Sequence, residues 1–81
     1  MRIDKFLNSV NITKRRSIAQ DMLTNKVVLI NDIVVKASKN VAVGDIVTIN
    51  YLESSKKYKV LALPTTKSTP KSLQDQYIKE V

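Results

Sequence analysis

Ile3, Phe6, Leu7 and Val10 recur at i, i+3, i+4 and i+7, and Ile18, Ala19, Met22 and Leu23 repeat the helical spacing soon after. Each quartet gives one apolar face of a short helix. The spacing predicts helices over residues 2–10 and from 14 to 23 or 24. So little chain lies between them that they must fold back on each other. Asn11 suits a left-handed exit from the first helix, Thr13 suits an N-cap for the second, and Asn25 ends it. Ile18, Ala19, Met22 and Leu23 are expected to face inward, with Arg15, Arg16, Gln20 and Asp21 outward.

After Asn25 the pattern changes to short β-branched runs. Residues 27–30 and 33–35 flank Asn31-Asp32, which reads as a tight hairpin in which both turn residues need positive φ. Residues 36–40 are turn-like, and Gly44 with Asp45 turns into a third strand, residues 46–51. A polar loop at 53–57 is expected before a fourth strand, 58–63, ended by Pro64. Residues 65–69 read as a linker. Pro70 then opens a short C-terminal helix with Leu73, Tyr77 and Ile78 as its apolar edge. With 81 residues the chain has room for one small domain, burying roughly 60% of its unfolded surface. The expectation is an α+β fold: two packed N-terminal helices against a small, mostly antiparallel sheet of three to four strands. Residues 1–63 form the domain, and 64–81 form a linker and short helix.

The residue inventory argues against catalysis. Histidine and cysteine are absent, the seven acidic residues are scattered, and Gly44 is the only glycine. That removes an imidazole base, a thiolate, metal clusters and a Gly-rich phosphate loop. No cofactor or metal is expected. The lack of cysteine fits a reducing cytoplasm, and neither a signal peptide nor a membrane span is expected.

Charge points elsewhere. A net charge of +7 is strong for this length and calls for an anionic partner. Lys14, Arg15 and Arg16, followed by Ser17, gather at the expected start of the second helix, where free amides and the helix dipole already favour phosphate. The alternative reading is a solvated helix face. Ser17 and Thr13 suit capping as well as RNA contact. Arg2 and Lys5 on the first helix can join this knot in one basic surface, and Lys36 and Lys39 can extend it. Asp4 stands among these cations, either pairing with Arg16 or Arg2 to fix its direction or serving the dipole of its own helix. Phe6, Tyr51 and Tyr58 fall in core or strand patterns. The sheet therefore lacks an aromatic platform for single-stranded bases, and recognition of folded RNA by shape and backbone is expected.

Five stretches, in order, carry a resemblance: residues 1–7 (MRIDKFL), 13–19 (TKRRSIA), 27–31 (VVLIN), 35–38 (VKAS) and 41–45 (VAVGD). Together they resemble the RNA-binding domain first described in bacterial small-subunit ribosomal protein four. A stand-alone domain this short is similar to the fifteen-kilodalton heat-shock protein and to the short RNA-binding proteins of ribosome-associated quality control. The resemblance implies two helices against a bent sheet, with RNA on the helix face. It implies that Arg2, Lys5, Lys14, Arg15, Arg16, Ser17 and Gln20 line that face, flanked by Lys36, Ser38 and Lys39. Asn25 and Asp32 stand where the family usually has glycine, and Gln20 where some relatives have arginine.

The expected function is binding of structured ribosomal RNA on the large subunit, with transfer RNA bearing a nascent chain as a further partner, in rescue of stalled complexes. The protein is expected to be a monomer off the ribosome. The rivals are a helix-turn-helix DNA-binding protein, which would need a base-reading helix and usually a dimer, and a protein–protein adaptor.

Overall fold

Elements of the computed structural model, which describes residues 1–64 and 70–81, run α1 (Ile3–Ser9), α2 (Arg16–Thr24), β1 (Val28–Ile30), β2 (Ile33–Val34), β3 (Ile46–Asn50), β4 (Ser55–Val60), a 3-10 helix (Lys71–Gln76) and β5 (Ile78–Glu80). The linker expected at 65–69 lies outside the described residues.

Helix α1 buries its whole stripe: Ile3, Phe6, Leu7 and Val10 are fully inaccessible. Asn11, at φ 64°, takes the left-handed conformation that ends the helix. The amides of Ile12 and Thr13 then both bond the Leu7 carbonyl, at 3.0 and 3.1 Å. Helix α2 begins two residues later than the spacing predicts. Thr13 does not cap it; buried, it donates its hydroxyl to the Arg15 carbonyl at 3.1 Å and locks the turn before the helix. Ala19 and Leu23, one turn apart, become the buried axis of α2. Ile18 is 42% exposed, contrary to expectation, because it sits about 100° around the helix from Ala19.

The five strands form one antiparallel sheet in the order β2-β1-β3-β4-β5. Asn31 (φ 52°) and Asp32 (φ 68°) both adopt the left-handed region that the two-residue hairpin between β1 and β2 requires. The Asn31 side chain secures the turn, donating to Asp45 Oδ1 at 3.1 Å and accepting from the Ile46 amide at 3.0 Å. Strand β4 starts at Ser55 rather than Tyr58, so Lys56 and Lys57 are strand residues opposite Ile49 and Thr48. Lys57 takes an outward position on the wet face, while Lys56 falls on the inner side, where its side chain stays exposed beside Glu80.

The C-terminal helix is a 3-10 helix, and the chain after it supplies a fifth strand that the sequence reading lacked. Ile78 pairs with Val60 and is buried. Gln74 ties the same segment to the end of α1, donating to the Val10 carbonyl at 2.7 Å. Val28, Ile30, Val47, Ile49, Val60 and Ile78 line the inner sheet face and share one core with the helix stripes. The helices therefore cover one face of the sheet, and their polar sides look away from it.

Candidate nucleic-acid interface

Asp4 lies on α1 with no accessible surface and gathers the polar side chains of both helices around it. Arg16, the first residue of α2, places Nε 3.2 Å from Oδ2 and Nη2 3.5 Å from Oδ1. Gln20, one turn further along α2, donates Nε2 to Oδ2 at 3.1 Å. Arg2 approaches from the other side, with Nε 3.3 Å from Oδ1, and the Lys5 amide donates to Oδ1 at 2.8 Å. Burial pushes the Asp4 carboxyl pKa up. The bonds from Gln20, Arg16 and the Lys5 amide, with the Arg16 charge, outweigh that and hold it below the ordinary value. The site is thus a buried anion that fixes two guanidinium groups. The side chains of Arg2 and Arg16 remain 49% and 44% exposed, leaving N–H donors directed outward, in the forked geometry that suits phosphate oxygens.

The helix starts differ in how their amides are used. At α1 the chain caps itself: the Ile3 amide bonds the Lys39 carbonyl at 2.8 Å and the Asp4 amide the Ala37 carbonyl at 3.5 Å. Arg2 and Asn40 form an isolated antiparallel bridge, and the Val41 amide bonds the Met1 carbonyl at 2.9 Å. At α2, Arg15 occupies the N-cap in an extended conformation and no side chain caps the helix. The first-turn amides of α2 thus carry no side-chain cap.

Among the residues expected at the site, the structure joins Arg2, Asp4, Arg16 and Gln20 by direct contact. Lys5, Lys14, Arg15 and Ser17 are exposed on or beside the helices. Lys36, Ser38 and Lys39 belong to the segment stitched to α1, and line a groove of about 640 Å³ beneath the β1–β2 hairpin, walled by Ile33 and Val34. Gln20 donates to Asp4 and is itself exposed. The self-capping of α1 by residues 37–39 was missed, since carbonyl acceptors leave no mark in a sequence. Tyr58 is half-buried in β4 and Phe6 is fully buried in the core, while Tyr51 is 44% exposed at the end of β3.

Comparison with known proteins gives a consistent picture. The S4 domain family matches residues 1–47. Two curated relatives, from Helicobacter pylori strains J99 and 26695, bear the name RQC P-site tRNA stabilizing factor. Each is 42% identical over 78 residues, covering 96% of this chain and 93% of its own. Among solved structures, the trimeric Heat Shock Protein 15 of Vibrio cholerae superposes with a TM-score of 0.90 at 25% identity, over all of this chain and 81% of its own. The solution structure of a hypothetical protein, HP1423, superposes with a TM-score of 0.87 at 41% identity, over all of this chain and 96% of its own.

Proposed function

The chain belongs to the S4 domain family, and on that premise we propose that it is a non-catalytic protein that binds structured RNA on the ribosome through the helix face around Asp4. The observation that carries this is the pair of half-exposed arginines, Arg2 and Arg16, held by one buried carboxylate. Such a clamp directs cations outward at a fixed angle, which suits the backbone of a folded RNA. Lys5, Lys14, Arg15 and Ser17 extend the surface across the uncapped start of α2, and Lys36, Ser38 and Lys39 continue it along the segment bonded to α1. All of these residues lie within 1–63; strand β5 (Ile78–Glu80) completes the sheet.

The target is ribosomal RNA of the large subunit. The name of the Helicobacter relatives adds transfer RNA in the P site as a second contact, and hence a role in quality control of stalled nascent chains. The protein acts in the cytoplasm and is a monomer away from the ribosome.

Co-sedimentation with large ribosomal subunits over a range of salt tests this reading. Arg15→Ala with Arg16→Ala weakens binding and flattens its salt dependence, because fewer counterions are released. Lys14→Ala with Arg15→Ala does the same without touching the Asp4 cluster, and so separates RNA contact from folding. Undiminished co-sedimentation of both double variants overturns the assignment, as does a preference for duplex DNA in competition.

A further inference from the structure

We propose that the outer face of the sheet, opposite the helices, is a second contact for an RNA phosphate backbone, centred on Lys57, Lys59 and Lys79. This rests on the RNA-binding reading above but concerns a different surface. Val47, Ile49, Val60 and Ile78 point into the core, so the alternation of the strands sends Lys57 and Lys59 of β4 and Lys79 of β5 to the other side. All three are exposed.

Lys59 and Lys79 are direct cross-strand partners. Like charges in that position repel at close range and oppose the pairing of the two strands. Among the described residues neither has an acidic partner, whereas Lys56, on the inner side, has Glu80 at 3.9 Å. Lys57 lies 3.9 Å from Asp32, but both side chains are well exposed, and such a pair is weak. A fold that spends its nearby carboxylate on Lys56 while leaving two lysines face to face carries a repulsion that an external anion would relieve.

The chemistry of the face also selects the anion. Lysine is depleted from protein–protein interfaces, whose anchors are aromatic and apolar. Here the neighbouring Leu29 is half-buried and Thr48 buried, and the exposed apolar residue Val34 lies on the far edge strand β2, away from the lysines. Thr48 Oγ1, in register between Leu29 and Lys57, has no hydrogen-bond partner. Lys57 and Lys59 are two residues apart on one strand, about 7 Å, so the face presents a row of cations. This row and the helix-face arginines lie on opposite sides of the sheet.

Binding of the full chain to a labelled RNA stem-loop, measured across salt, tests the proposal with Lys59→Gln/Lys79→Gln. The expected result has two parts. The free variant melts at a higher temperature than the parent in low salt, because the repulsion is gone. Its RNA affinity falls several-fold and its log–log salt slope falls by about 1.4 to 1.8, two phosphate contacts at roughly 0.7–0.9 each. Unchanged affinity and slope in this variant, with binding lost in Lys14→Ala/Arg15→Ala, overturns the outer face and leaves the helix-face reading intact. Unchanged binding in both variants overturns both. Loss of binding to an acidic peptide, with RNA binding intact, also overturns the proposal.

Discussion

Arg16 of α2 and Asp4 of α1 meet across the helix hairpin, Nε to Oδ2 at 3.2 Å, with the carboxylate fully buried and the arginine side chain 44% exposed. The pair closes the angle between the two helices and sets the direction of the guanidinium at once. On the proposed reading, packing and recognition share this one bond, so substitution at Asp4 is expected to weaken both.

Asp4→Asn keeps the shape but removes the charge that gathers Arg2, Arg16 and Gln20. Bonds to a charged acceptor are worth about 1.5–3 kcal/mol, and urea unfolding should show a loss of about 2 kcal/mol, the guanidinium ends being partly solvated. The variant gains one unit of positive charge, yet its RNA affinity falls. A rise in affinity would mean that net charge, rather than arginine direction, governs binding.

Acid should act through the same carboxyl. Asp4 has a folded pKa below the ordinary 3.8, so the unfolded chain takes up this proton more readily than the folded one. The stabilisation is fully present above that ordinary value and is lost as the pH falls through the lowered folded value. Urea midpoints measured from pH 6 down to about pH 2 should fall less steeply for Asp4→Asn than for the parent.

Phe6 is the largest fully buried side chain. Phe6→Ala should cost about 3–5 kcal/mol, a large share of the about 4–12 kcal/mol that a chain of 81 residues typically holds. Circular dichroism melts should show a melting temperature lowered by more than about 10 °C for this variant.

The hairpin turn offers a stabilising change. Asp32 sits at φ 68°, a region that costs a non-glycine residue about 1–2 kcal/mol, and its ion pair with Lys57 is exposed. Asp32→Gly should raise the melting temperature by about 4–8 °C per kcal/mol recovered. Asn31→Gly should lower it, because the bonds to Asp45 and the Ile46 amide are lost.

Ile78→Ala tests whether the C-terminal strand belongs to the cooperative unit. Ile78 is 4% exposed against Val60, and truncation should cost about 3 kcal/mol. A single unfolding transition, shifted as a whole, is expected by fluorescence and circular dichroism alike.

Much of this architecture was legible in the residues. The stripe of α1 is a strict helical repeat, and Asn31-Asp32 between β-branched runs is a turn signal with a mechanism. Other features depend on contacts distant in sequence. Thr13 suits a cap and a turn equally well, and only burial against α1 decides between them. Lys56 and Lys57 read as loop because charge is the local signal, whereas pairing with β3 makes them strand. Strand β5 has three residues, too few for alternation to register, and is specified by the edge of β4. The nearness of Asp4 to the cations was visible along the helix, but its complete burial and the engagement of Gln20 emerge only when the helices cross.

The stitching of residues 1–3 to residues 39–41 has a consequence for how the protein comes into being. The Lys39 carbonyl and the Val41 amide that hold the start of α1 lie beyond both helices and the hairpin, so closing that seam is a long-range event paid in loop entropy. A chain interrupted during its own synthesis before Val41 would present the same cations on two loosely joined helices. The arranged surface arrives late, as a property of the finished molecule.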